Sequence, residues 1–286
     1  NTLTRIHQKS ADLRHVVQTA LERNRKKYDL QAKQLKGTEK RDKYKVYGEL
    51  INTYGYNLEP GSKELTALNY YTNEEITIPL DPTQTPGENA QRYFAKYNKQ
   101  KRTFEALTEL IQETADDIQY LESISNALDI ALSEPDLAQI KEELMQSGYI
   151  RRKHTKKKVK LTSKPMHYIS SDGYDMFVGK NNLQNEELTF SFANGNDWWF
   201  HAKGAPGSHV IVKSGGDELP DRTFEEAGRL AAYYSKNRGA DKVEIDYIQK
   251  KHVKKPNGAK PGFVVYYTNY SLVIDSDISN IKNVQD

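Results

Sequence analysis

The chain has 286 residues, 36% of them hydrophobic, with 42 Lys/Arg against 39 Asp/Glu and a formal net charge of +3. So polar a chain of this length does not read as one compact body, and an elongated part with little core is expected. The absence of cysteine excludes a disulfide framework and a thiolate metal site, and no apolar run approaches the roughly 18–20 residues that span a bilayer.

Charge is segregated along the chain. Residues 1–47 carry thirteen Lys/Arg against five Asp/Glu, residues 105–143 eleven Asp/Glu against one Lys, and residues 151–164 eight Lys/Arg and no acid. The first residues are amphipathic, without the apolar segment of a signal peptide, and they open inside a helical pattern, so a piece of a longer protein is expected. Leu3, Ile6, Leu13, Val17, Ala20 and, later, Tyr47, Leu50, Ile51 and Tyr54 recur at spacings of three and four. They predict a long helix over 1–54 with a narrow apolar seam, interrupted near Gly37. A small insert at about 55–84 follows, with two short strands at Thr66–Tyr71 and Glu75–Leu80; Tyr70 and Tyr71 are expected in its core. Thr85-Pro86-Gly87-Glu88 then starts a second long helix, with Thr85 as N-cap, and its seam runs from Tyr97 to Leu132 at close to heptad spacing.

The basic first helix and the largely acidic second one predict an antiparallel coiled coil, which at ~1.5 Å per residue over about 45–50 residues makes a rod of ~70 Å. Ser133-Glu134-Pro135-Asp136 caps a short third helix that ends at Gly148. The expected organisation is α+β: a long antiparallel helical coiled coil with a small β tip over 1–148, a basic linker at 149–164, a compact mixed α/β domain at 165–278 and a tail at 279–286. In the α/β domain the pattern predicts a hairpin at 167–179 turning on Ser171-Asp172-Gly173 and a helix at 182–193. A second hairpin carries both tryptophans, a helix covers 223–237, and strands follow at 242–248, 262–268 and 271–275.

That second hairpin holds the densest chemistry. Asp197–Lys203 reads as a strand, Gly204-Ala205-Pro206-Gly207 as a type II turn and Ser208–Val212 as the returning strand, which predicts Asp197, His201, Lys203, Ser208 and His209 near one end of a sheet. The two histidines either contact a ligand or pack against aromatic rings. The His-x7-His spacing is not a helical ligand pair, so no metal is expected, and no strained nucleophile turn accompanies a Ser208/His201/Asp197 triad. Nucleic-acid binding needs cations for phosphates and flat side chains for bases. Cations are supplied by Arg151, Arg152, Lys153, Lys156, Lys157 and Lys158 in the linker and by Lys250, Lys251, Lys254 and Lys255 in a second basic loop. Trp198, Trp199, His201 and Tyr247 offer rings. Asn181, Asn182 and Gln184 either read base edges or cap the helix that starts there.

Gly179-Lys180-Asn181-Asn182-x-Gln184-Asn185-Glu186-x-Leu188-Thr189, then Asp197-x-Trp199-Phe200-His201-Ala202-Lys203, then Pro206-Gly207-Ser208-His209-Val210 resemble the RNA-binding domain of the NFACT family over about 165–275. The preceding segment is similar to the coiled-coil and middle region of that family. Trp198 departs from the pattern, which more often has a smaller or aliphatic residue there. Bacterial members are ribosome quality-control factors of RqcH type, often labelled fibronectin-binding proteins in Gram-positive bacteria. The resemblance implies a cytoplasmic protein that binds the obstructed large ribosomal subunit and helps recruit alanyl-tRNA for template-free tailing. It also implies that the ribosome itself performs the peptidyl transfer, so neither enzymatic activity nor a cofactor is expected. It adds Lys180, Asn181, Asn182, Trp199, His201, Lys203, Ser208 and His209 to the linker and loop cations as expected RNA contacts. The alternative is a fibronectin-binding adhesin module displayed at the cell surface.

Overall fold

The computed structural model describes residues 1–153 and 160–284, so Lys156, Lys157 and Lys158 lie outside the described residues. The protein is α+β. It divides into two units, Asn24–Asp117 and a second formed by Asn1–Arg23 with Ile118–Asp286. Two helices, α1 (Thr2–Lys36) and α3 (Pro86–Ile130), contribute to both.

In the Asn24–Asp117 unit, α1 ends at Lys36 and α2 (Arg41–Tyr54) restarts after a turn at 37–40, where Gly37 interrupts the seam. Thr38 closes the first helix by donating its hydroxyl to the Leu35 carbonyl at 2.6 Å. The α3 N-terminus is capped by Thr85, whose Oγ1 accepts the Glu88 N–H at 3.1 Å. Helix partners run in opposite directions. Thr114 donates to Gln31 in a buried bond of 2.8 Å, Arg41 lies 4.0 Å from the Phe104 ring centroid, and Gly48 faces Phe94. A Cβ on Gly48 would sit 2.7 Å from that ring, so only glycine lets α2 approach α3 this closely. β1 (Glu64–Asn69) and β2 (Glu74–Pro79) form an antiparallel hairpin, each starting slightly earlier than the pattern suggested. Its buried Leu65, Ala67 and Ile78 pack with Leu50, Ile51, Ala90 and Tyr93. Tyr70 and Tyr71 are not core residues. They are 45% and 63% exposed, and both hydroxyls donate to Glu49, because the strand ends at Asn69 and leaves them in the turn.

In the other unit, Leu13, Val17 and Leu21 of α1 pack on Tyr120, Ile124 and Leu128 of α3, with Arg14 paired to Asp129 at 2.9 Å. Helix α4 (Glu134–Gln146) completes this core with Leu137, Ile140 and Leu144. Its N-cap is Ser133, and Gly148 takes the left-handed conformation just past its end, φ +83.

The sheet of this unit has seven strands: β3 (Met166–Ile169), β4 (Asp175–Val178), β5 (Trp198–Ala202), β6 (Val210–Val212), β7 (Val243–Gln249), β8 (Tyr270–Ile274) and β9 (Lys282–Asn283). Their order is β8-β7-β5-β6-β4-β3-β9, and all neighbours are antiparallel. Side chains alternate between faces. Phe200, Ala202, Val210, Val212, Met176 and Val178 point to helix α6 (Asp221–Tyr233) and its Ala227, Leu230 and Ala231. Trp199, Ile211, Phe177 and Ile248 point the other way, towards Leu188, Ala193 and Val253. That second face is covered by α5 (Asn182–Glu187), which continues as a turn of π-helix over Leu188–Phe192, and by the loop after β7.

Two expectations change here. No strand covers 262–268 among the described residues; one bridge, Lys254 to Val265, is all that forms there. The segment 279–286 is not merely a tail, since β9 pairs with β3 and Ile281 is buried.

Candidate nucleic-acid interface

The Gly-Lys-Asn-Asn segment leads into helix α5, and its polar side chains turn towards the helices of the same unit. Asn181 caps α5, its Oδ1 accepting the Gln184 N–H at 2.9 Å, while its Nδ2 donates to Gln139 Oε1 at 2.8 Å. Gln184 donates to the same Gln139 oxygen at 2.6 Å and to Ser163 at 3.0 Å. Asn182 Nδ2 donates to Ser123 at 2.8 Å and to Glu143 Oε2 at 3.0 Å. Lys180 pairs with the buried Asp136 at 3.1 Å, and Asp136 also accepts from Ser163. Gly179 is required by close approach, because a Cβ there would fall 1.9 Å from Asn185 Oδ1. Asn181 and Asn182 are therefore a joint between α5 and helices α3 and α4, not readers of base edges; both are buried with their amides already bonded.

The joint contains Glu143, a carboxyl that is 1% exposed. Burial raises its pKa, and hydrogen bonds from Tyr120 at 2.6 Å and from Asn182 oppose the rise. A carboxyl whose folded pKa lies above its unfolded value contributes stability at low pH that is lost as pH rises through the folded pKa. Glu143→Gln keeps the acceptor for Tyr120 and Asn182 without the charge. It is expected to raise the unfolding temperature at pH 8, by roughly 2–4 °C per kcal/mol gained, and to leave it unchanged at pH 4. Calorimetry at the two pH values checks this, and an equal shift at both would remove the Glu143 charge as the cause.

The tryptophan hairpin is also turned inward. Trp199 is 1% exposed and Nε1 has no hydrogen-bond partner among the described residues, so it offers no ring face for a base. Ser208 and His209 are buried, and His201 is half-buried with its ring stacked on Trp199, centroids 5.6 Å apart. Thr189 Oγ1 lies 2.8 Å from His209 Nδ1, and the His209 N–H donates to Asn185. Burial, followed by the nearby His201, pushes the His209 pKa down to about 3; burial also lowers His201, with Asp246 opposing. Both imidazoles are thus neutral at physiological pH and carry no charge for a phosphate. Nor does the hairpin gather all five polar residues at one end. Trp198 pairs with Val212 and Ala202 with Ile245, which puts Asp197 at the end opposite His201, Lys203, Ser208 and His209. There Asp197 accepts from Asn194 and Ser214 and pairs with Lys213 at 2.6 Å.

The exposed cations lie elsewhere on this unit. Lys251, Lys254 and Lys255 project from the loop after β7, and Lys250 lies 6.0 Å from the Phe190 ring centroid. Lys255 reaches Glu186 of α5 at 2.5 Å, and on the other flank Ser163 bonds Gln184. The end of the basic linker and the basic loop therefore meet α5 from two sides, with Lys160 and Lys164 exposed on the first. Arg151 and Lys153 are exposed, while Arg152 pairs with Glu142 at 2.8 Å and Lys203 with Glu244 at 3.1 Å. Exposed pairs of this kind are worth about 0–1 kcal/mol, so a phosphate displaces them at little cost.

The sheet-and-helix unit with its cationic rim has the features of a nucleic-acid-binding domain. Comparison with known proteins gives the family. The description "NFACT N-terminal and middle domains" matches residues 1–163, and "NFACT protein RNA binding domain" matches residues 164–267. The chain belongs to the NFACT family. It is 41% identical over 282 residues to the Rqc2 homolog RqcH of Streptococcus pneumoniae serotype 2 and 39% identical over 284 residues to that of Bacillus subtilis. These alignments cover 98% and 97% of this chain but 51% and 49% of the relatives, so the chain spans about half their length. Among solved structures, the C-terminal part of the fibronectin/fibrinogen-binding protein from Streptococcus suis matches with a TM-score of 0.75 and 36% identity, covering 98% of this chain and 99% of that one.

Proposed function

We propose that this chain is the RNA- and ribosome-gripping half of a cytoplasmic ribosome quality-control factor. In this reading it holds the obstructed large ribosomal subunit, helps recruit alanyl-tRNA for template-free tailing, and makes or breaks no covalent bond itself. The observation that carries the reading is the coincidence of the RNA-binding family match over 164–267 with the exposed loop lysines Lys251, Lys254 and Lys255. Phosphate binding by such cations releases counterions, so affinity must fall steeply with salt.

Filter binding of the chain to large ribosomal subunits, tRNA, heparin and fibronectin at several salt concentrations tests it. The expected order is ribosomal subunits and tRNA well above heparin. Replacing Lys250, Lys251, Lys254 and Lys255 by Glu should lower RNA affinity roughly tenfold or more at low salt and reduce the salt slope by about one for each phosphate no longer neutralised. An unaltered slope removes the loop from the interface. The name of the Streptococcus suis neighbour motivates the fibronectin arm; tight fibronectin binding in physiological salt, with no preference for RNA over heparin, would favour adhesion instead.

A further inference from the structure

Helix α5 does not end as an ordinary α-helix. Its last turn widens over Leu188–Phe192, with the Ala193 N–H donating to the Leu188 carbonyl five residues back at 2.9 Å. The wide turn delivers Phe192 to the surface, 41% exposed. Its ring lies against Phe177 at 4.8 Å, and Phe177 stacks on His167 at 4.4 Å with planes 12° apart. Lys213 Nζ sits 4.6 Å from the Phe192 centroid and is held there by Asp197 and by the Phe192 carbonyl.

The next residues, Asn194-Gly195-Asn196, form an exposed loop that is firmly anchored. Asp197 accepts the Asn194 N–H at 2.7 Å, and the loop's other side is tied to the basic segment: Lys251 N–H donates to Gly195 at 3.0 Å and Lys250 N–H to Asp197 at 2.8 Å. The exposed Phe192 ring, the exposed Asn194 and Asn196 and the two lysines thus belong to one short stretch and the backbone hydrogen-bonded to it. Among the described residues, Asp197 and Asp175 touch it or its aromatic row, and each already has a partner, Asp197 with Lys213 and Asp175 with His167. An apolar protein partner would bury this ring among cations and amides, which is unfavourable. A nucleotide matches every part.

We propose that Phe192, Asn194, Asn196, Lys250 and Lys251 form a seat for one unpaired RNA nucleotide, its base on the exposed ring, its edge on the amides and its phosphate on the lysines. This rests on the RNA-binding reading above and specifies what that surface recognises. The nucleotide must be unpaired, because a base in an A-form helix has no free face and its major-groove edge is out of reach.

The test is fluorescence anisotropy with a single-stranded oligouridylate, a fully paired RNA duplex and tRNA. Phe192→Ala is expected to weaken single-strand binding between about fivefold and about a hundredfold and to leave duplex binding unchanged, with Phe192→Tyr restoring the affinity. Phe192→Leu preserves apolar packing without the π-face, so it should fold normally yet bind like the alanine variant. Wild-type binding to oligouridylate that both variants retain in full would overturn the seat while leaving RNA binding intact. Equal affinity for duplex and single strand would overturn it too. Failure of the wild-type chain to bind any of the three RNAs would instead sink the RNA-binding reading itself.

Discussion

Replacing Trp199 by alanine is expected to destabilise the sheet of its unit by about 3–5 kcal/mol, the usual cost of emptying a large buried aromatic site. The indole is fully enclosed by Leu188, Ala193, Ile211, Ile248 and Val253 and lies 4.8 Å from Tyr266 and 5.2 Å from His209, ring to ring. Little around it is free to collapse, because β5 is paired on both sides with β6 and β7. Trp199→Phe should cost much less. It keeps an aromatic in the site, and Nε1 donates no hydrogen bond among the described residues that phenylalanine would forfeit. The two tryptophans are neighbours on one strand, so in either variant Trp198 remains as a fluorescent reporter of this sheet. Urea unfolding followed by that fluorescence reads the loss. The chain has two units, so the transition belongs to the sheet and not to the whole molecule. If Trp199→Ala leaves the urea midpoint unaltered but abolishes RNA binding, the ring is a contact and the packing account is wrong.

The contrast between Trp199 and Phe192 shows what was legible in the sequence. Element types were, because each has a local cause: the three-and-four spacing of Leu13, Val17 and Ala20, the Thr85 and Ser133 caps, the left-handed Gly148 and Gly173. Which face of a strand looks outward was not. Trp198, Trp199, Phe200 and His201 are consecutive, and both faces of β5 are covered, one by α6 and the other by α5, so alternation gives no polar side to identify. Asn181 and Asn182 mislead for a related reason. A capping asparagine and a base-reading asparagine have the same composition, and only the arrival of Gln139, Ser123 and Glu143 from distant positions decides between them. Phe192 does not stand out because an ordinary helix over 182–193 gives it no special exposure; the π turn that presents it is a departure from regular geometry with no local sequence signal. Lys153, Lys251, Lys254 and Lys255 are legible because a cation without a nearby acid in sequence stays near the surface.

Those placements divide the labour among the residues of this domain. The Gly-Lys-Asn-Asn and Trp-Phe-His segments build and lock the scaffold, and the cations and Phe192 project from it. Variants in the first group should therefore lose RNA binding only as they lose structure, whereas variants in the second should lose it while melting normally. Lys255 shows how the two groups meet, since its partner Glu186 sits on the same short helix whose Asn182 enters the buried joint.

Acidification from pH 7 to pH 5 is expected to destabilise the same sheet through its buried histidines, and protonation of Glu143, whose pKa burial raises, acts in the opposite direction. His209 is depressed from 6.5 to about 3 by burial and by the neighbouring His201. A group with a lowered folded pKa gives stability that is present above its unfolded value of 6.5 and is lost as pH falls from there towards the folded value. Each pH unit below 6.5 removes about 1.4 kcal/mol per such histidine, so His209 alone accounts for a loss of about 2 kcal/mol at pH 5. His201 is shifted in the same direction and adds to it. The lowered carboxyls, Asp129 and Asp136, act only below about pH 4, near the ordinary carboxylate value. Urea midpoints at half-unit steps of pH separate the two ranges. His209→Gln should flatten the upper part, and if that variant does not fold, the His209 ring carbon resonance in the wild-type chain should stay at its neutral position down to pH 5. A midpoint constant between pH 7 and 5 in a Glu143→Gln background, or a His209 titration near 6.5, would show the ring to be solvated. The His209 ring is buried and its pKa is lowered, so any gain in RNA affinity at pH 6 is expected from other groups, and removing His209 should leave that gain in place.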